Sequence, residues 1–288
     1  MASAQTGDAN LPSDLEPSNV LLPHRSFNED GDSTIVLVHG LTSSPHEYNY
    51  VNPLLTSPQA NARKSYHLLL PYLPDHGEAR NIGPFSIPYA ASLLAHLIKT
   101  KAKDGRAHVV GLSAGGFASI YLAKEHPSLV LSLFVTGVGG LAGRAFLTSA
   151  APYFLIPVTA LQSYAPDWAY QWVQRKIGIT MPEGLRDEMW QNSKFDMVRS
   201  AYQSINRDGL AVPLQVRTLV IAGGKQDPVE PTRVYGAEVG KGNQGSQTCV
   251  VRKAIHAWDL QFPELFASGI RAWIEQTSLP MDYEMLDP

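Results

Sequence analysis

Only one cysteine, Cys249, occurs among the 288 residues. No intramolecular disulfide is therefore available, and the fold must be held by its core. Cys249 stands in the apolar run Thr248-Cys249-Val250-Val251, which reads as a buried small hydrophobe. Charge of one sign is equally scarce: 23 Lys and Arg stand against 26 Asp and Glu, a formal net charge of -3. No strong attraction to nucleic acid or an anionic membrane is expected. No apolar run reaches the ~18 residues needed to span a bilayer. Met1 to Glu16 has neither the basic start nor the apolar stretch of a secretory signal, so a cytoplasmic location is expected. No internal repeat of about 20 to 50 residues is visible. None of the nine histidines has metal-site spacing, so no metal is expected.

Apolar residues make up 44% and charged residues 17%, enough to fill the core of one large domain, with room for an insertion. Residues 1–18 read as a flexible arm. Val20-Leu21-Leu22 is a candidate edge strand. Thr34-Ile35-Val36-Leu37-Val38 is a continuous β-branched run, as suits a strand buried on both faces of a parallel sheet. Further strands are expected at Tyr66–Leu70, Ala107–Gly111, Val130–Val135, Arg217–Ile221 and Thr248–Ile255. Helices are expected over 87–102, where Tyr89, Leu93, Leu94, Leu97 and Ile98 share a face, over Gly115–Glu125, and over Pro263–Gln276. The alternation of strand and helix points to an α/β fold with a mostly parallel sheet flanked by helices. Residues 141–203 break this rhythm. They are rich in aromatics, Trp168, Trp172 and Trp190 among them, and carry no strand pattern. They read as a helical cap inserted into a core formed by 19–140 and 204–288.

Gly111-Leu112-Ser113-Ala114-Gly115 is a G-x-S-x-G motif. A nucleophilic serine needs a sharp, strained strand-to-helix turn, and bulk on either side would collide with neighbouring backbone. With this much glycine and serine, chance alone supplies the motif in about one sequence in seven. Its setting adds weight, because a strand candidate precedes it and a helix candidate follows.

With this motif, His39-Gly40 after the first buried strand, Gly223-Gly224-Lys225-Gln226-Asp227-Pro228 after a late strand, and Ala254-Ile255-His256 before the last helix, the chain resembles the α/β-hydrolase superfamily. The resemblance runs from about Thr34 to Gln276 and includes the chain order Ser, Asp, His. It implies Ser113 as nucleophile, His256 as general base and Asp227 as the acid that orients it. It also implies backbone N–H groups of Leu41 and Ala114 as the oxyanion hole. Relatives acting on alkyl halides or epoxides carry Asp where Ser113 stands, so acyl transfer is favoured: hydrolysis of an ester, thioester or lactone, with no cofactor. Glu230 is a local competitor for the acid. The segment after the preceding strand, Thr136 to Gly143, holds no carboxylate. Pro74-Asp75-His76-Gly77 resembles a structural loop of the family, with Asp75 where glycine is usual. The aromatic cap suggests a hydrophobic or aromatic small molecule as substrate, with Trp168, Trp172 and Trp190 as candidate contacts. Two other functions stay open on the same site: cyclisation or carbon–carbon cleavage of a biosynthetic intermediate, and a small-molecule receptor with little turnover.

Overall fold

A computed structural model of the protein describes residues 16–57, 64–140, 145–209 and 211–287. Most of the expected N-terminal arm, residues 1–15, lies outside them, as do the first four residues expected for the cap. In chain order the elements are β1 (His24–Phe27), β2 (Ser33–Val38), α1 (Asn52–Thr56), β3 (Tyr66–Pro71), α2 (Ile87–Lys101), β4 (Ala107–Leu112), α3 (Ala114–Glu125) and β5 (Val130–Thr136). Four helices follow without a strand: α4 (Ala145–Tyr164), α5 (Asp167–Ile177), α6 (Leu185–Asn192) and α7 (Phe195–Asp208). The chain then returns to the sheet with β6 (Thr218–Gly223), α8 (Val229–Gly240), β7 (Gln247–Val251), α9 (Trp258–Gln261), α10 (Pro263–Glu275) and β8 (Glu284–Met285).

The strands form one sheet in the order β1-β3-β2-β4-β5-β6-β7-β8. The six inner strands run parallel, and β1 and β8 close the edges antiparallel. The alternation of side chains along each strand divides the core in two. Val36 and Val38 join Val109, Val135 and Val220 on the face covered by α2, α3 and α7. Ile35 and Leu37 join Val110, Phe134 and Ile221 on the face covered by α1 and α10. Both faces are buried, which is why these strands read as continuous apolar runs rather than alternating ones. Phe266 of α10 packs edge-on against Phe134 and Trp258. Burying one such ring contributes about 1.5–3 kcal/mol.

Two strand expectations are corrected. Val20-Leu21-Leu22 forms no strand; Leu22 is buried as an anchor, and Pro23, which cannot donate to a ladder, separates it from β1. The edge strand is His24–Phe27, paired residue for residue with β3. The strand expected over Thr248–Ile255 ends at Val251, where Ala254 N–H folds back on the Val251 carbonyl. The edge expected at 203/204 falls inside α7. That helix buries Met197, Val198, Ala201 and Ile205 in the same core as the strands.

Candidate active site

Ser113 stands between the end of β4 and the start of α3, with φ 52° and ψ -118°. A left-handed φ at a non-glycine residue is strained, and here the surroundings over-determine it. Its N–H donates to the Thr136 carbonyl at 2.9 Å, and its carbonyl accepts from Phe117 N–H at 3.0 Å. The flanking glycines have a steric cause. A Cβ on Gly111 would lie 2.7 Å from Gly116 Cα and from the Gly115 carbonyl oxygen, and one on Gly115 would collide with the Val38 and His39 carbonyls. The helix can start tight against β2 only without those side chains.

His256 follows the turn after β7. Its Nδ1 lies 2.6 Å from Asp227 Oδ1. Asp227 is held in turn: its side chain is 5% exposed, and its Oδ2 accepts Gly223 N–H at 2.7 Å. With Nδ1–H donated to the carboxylate, Nε2 is left as the basic nitrogen. Burial disfavours the imidazolium, but the bond to Asp227, its charge and that of Glu47 outweigh burial and raise the pKa above the usual histidine value. The ring rests on the backbone just after β5, so that a Cβ on Gly137 would come within 2.5 Å of His256 Cε1. Thr136 and Gly137 are thus a shared floor: Ser113 N–H bonds the first and the His256 ring covers the second.

Glu230, the competing acid, points elsewhere. It pairs with Arg233 at 2.6 Å, its side chain 69% exposed, and that guanidinium lowers its pKa.

The loop after β2 approaches the nucleophile closely, since a Cβ on Gly40 would lie 3.7 Å from Ser113 Cβ. Its backbone donors are nearly all engaged. Gly40 N–H donates to Glu47 Oε2 at 3.0 Å, Thr42 N–H to His76 Nε2 at 3.1 Å, and Ser43 N–H to the Gly40 carbonyl at 3.2 Å. For Leu41 N–H and Ala114 N–H no acceptor is found among the described residues.

His39 and His76 brace this loop as neutral rings. Each accepts a backbone N–H on Nε2, from Leu73 and Thr42 respectively, so each has its proton on Nδ1 for a carbonyl, Gly40 or Pro74. Burial pushes both pKa values down, that of His76 to about 4. In the same loop Asp75 has φ 65° and accepts Phe85 N–H on Oδ2 at 2.7 Å.

Three residues with no distinctive sequence signal complete the surroundings. Glu47 is buried beneath the loop. Asp259, also buried, lies on α9, which packs against the 3-10 turn Pro45–Tyr48. Asn192, at the end of α6, spans from the inserted helices to this loop. Its Nδ2 donates to the Thr42 and Ser43 carbonyls at 3.2 and 2.9 Å, and its Oδ1 accepts Gly77 N–H at 2.9 Å. A lone acid between His46 and Tyr48, or an amide in Gln191-Asn192-Ser193, looks like an ordinary surface residue in sequence.

The three candidate tryptophans lie in the same insertion. Trp168 and Trp172 on α5 are 74% and 55% exposed. Trp190 on α6 is half-buried and meets Tyr164 edge-on, with ring centroids 5.4 Å apart. Among the described residues no helix is long and apolar enough to cross a membrane, and no group of His, Cys, Asp or Glu is placed to hold a metal ion.

A doubly wound sheet with a strained serine at the end of a central strand and a His–Asp pair beside it defines the architecture of a hydrolase. The profile of the alpha/beta hydrolase family matches residues 35–270, and the chain belongs to that family. An AB hydrolase superfamily protein of Gibberella zeae is 34% identical over 267 residues, 91% of this chain and 87% of the relative. A pimeloyl-(acyl-carrier protein) methyl ester esterase of Neisseria meningitidis is 28% identical over 269 residues, 87% of this chain and 97% of the relative. An esterase structure from Thermogutta terrifontis superposes with a TM-score of 0.65 at 17% identity, covering 88% of this chain and 93% of that one; this likeness is one of fold.

Proposed function

We propose that the protein is a serine hydrolase that cleaves a carboxylic ester, thioester or lactone through an acyl-enzyme. Ser113 Oγ attacks the carbonyl carbon as its proton passes to His256 Nε2. The developing oxyanion is received by Leu41 N–H and Ala114 N–H, the latter at the positive end of α3. The bond to the leaving group breaks and the imidazolium returns the proton to it. Water then repeats the sequence on the acyl-enzyme. Asp227 keeps the imidazole in the productive tautomer and stabilises its charged form. The observation that carries this reading is the contact of 2.6 Å between buried Asp227 and His256 on the same floor as the strained Ser113. The esterase among the relatives favours an ester over an amide.

Of the expected cap, the helices α4 to α6 are proposed as a cover over the site, while α7 belongs to the core. Their aromatic content favours an apolar or aromatic small-molecule substrate. Of the three tryptophans, Trp190 has the strongest case for substrate contact, because it shares α6 with Asn192, whose amide reaches the Leu41 loop.

The test is covalent labelling with a fluorophosphonate followed by peptide mapping, alongside hydrolysis of p-nitrophenyl butyrate. Label on Ser113 alone is expected, with a loss of at least about 10³-fold in kcat for Ser113→Ala in a folded protein. An Ala variant as active as the parent would sink the reading.

A further inference from the structure

Two buried acids, Glu47 and Asp259, flank the proposed site without a cationic partner. Among the described residues no Lys or Arg forms an ion pair with either. Asp259 is wholly buried, no side chain donates to its carboxyl, and the donors nearest it are its own N–H and that of Leu260. Unpaired buried carboxyls cost stability, and a fold has no structural reason to put two of them together. They are nevertheless adjacent, since α9 packs on the Pro45–Tyr48 turn. Glu47 spends one oxygen on Gly40 N–H, the residue before the free Leu41 N–H and the one that abuts Ser113.

We propose that Glu47 is a positioning residue that holds Gly40, and with it Leu41 N–H, beside Ser113 and sets a second acid behind the His256 ring. The inference rests on the serine hydrolase reading above.

The charge states agree with this geometry. Burial pushes the Asp259 carboxyl far up and the charge of Glu47 pushes it further, against the N–H groups of Asp259 and Leu260, which lower it. Glu47 is raised by burial and eased back by Gly40 N–H, reaching about 7. The other titratable groups around the turn do not compete for the role. His39 and His76 are held neutral by burial. Burial raises the Tyr48 phenol well above its usual range. His46 faces outward to Glu188 at 3.0 Å. Asp227 is committed to His256. With two carboxylates favouring the imidazolium, His256 gives up its proton only at a higher pH than one partner would require.

Glu47→Gln tests this, because an amide oxygen can still accept Gly40 N–H while the charge is lost. With p-nitrophenyl butyrate, kcat is expected to fall about tenfold with KM within about twofold, since the loss is in the transition state. The acid limb of kcat/KM, and that of fluorophosphonate labelling of Ser113, should both move to lower pH. Melting at pH 8 should be no lower than in the parent protein, because the variant no longer buries a charge. A Gln variant with parental kcat and an unmoved limb overturns the proposal, and so does one that melts well below the parent at pH 8. The parallel Ser113→Ala measurement separates the two failures. An inactive Ala variant beside an unaffected Gln variant removes only the brace, whereas an active Ala variant removes the whole reading of the site.

Discussion

Asp227 and Glu230 lie three residues apart on one turn, and their surroundings divide them. Asp227 is buried, receives Gly223 N–H and faces His256; Glu230 lies against Arg233 in solvent. Asp227→Asn should therefore cost about 10³ to 10⁴ in kcat, as in serine protease triads, by stabilising the wrong imidazole tautomer. Glu230→Gln should cost less than about tenfold. Steady-state kinetics on both variants decide the matter, and the reverse order would move the acid to Glu230. At this scale the sequence was legible where chemistry is written into backbone geometry. Gly111 and Gly115 are required by the turn, and Asp227 follows Gly224 at the spacing that the turn after β6 imposes. It was illegible where a role depends on what packs over a residue. Glu47 and Asp259 differ from surface acids only in being covered by distant parts of the chain.

Elements were read well where they are buried on both sides, as in β2 through β6, and less well at the sheet's edges, where half-buried strands carry a weaker pattern. β1 and the two-residue β8 belong to that class. So does the short helix α9, whose role comes from carrying Trp258 and Asp259 rather than from periodicity. The loop after β2 is the element on which the proposed catalysis leans most. It is tied from three directions: by Glu47 below, by His76 from the Asp75 loop, and by Asn192 from α6. Asn192→Ala would leave two buried carbonyls and Gly77 N–H unpaired, at about 1–3 kcal/mol for each group that water does not reach. The expected result is a kcat lowered about tenfold, a smaller change in KM, and a melting temperature several degrees below the parent. Kinetics and calorimetry on this variant check it; an unchanged kcat would mean that the loop holds its shape without α6.

For the whole molecule, buried titratable groups pull stability in opposite directions. His76 and His108, both lowered to about 4 by burial, bind a proton more readily when unfolded, so their contribution is lost as pH falls from about 6.5 toward 4. Glu47 acts in the other sense. Its folded pKa of about 7 exceeds the ordinary 4.5. Its contribution is therefore fully present below 4.5 and is lost as pH rises through about 7. Comparing Glu47→Gln with the parent isolates that share. Their difference in unfolding free energy should shift in favour of the variant by about 3 kcal/mol between pH 4.5 and pH 8. Urea denaturation across that range measures it, and a difference that does not vary with pH would show that Glu47 does not titrate there.

The stretch after β5 contains no acid, and at its Gly137 no side chain could stand. The His256 ring occupies the space into which any side chain at 137 would project. In evolutionary terms this closes a route. A carboxylate arriving at position 137 by a single substitution would displace the imidazole it was meant to serve, so it could stand there only if the histidine loop moved in the same step. The proposed division of labour among Ser113, Asp227 and His256 is thus fenced in by a residue that takes no part in it.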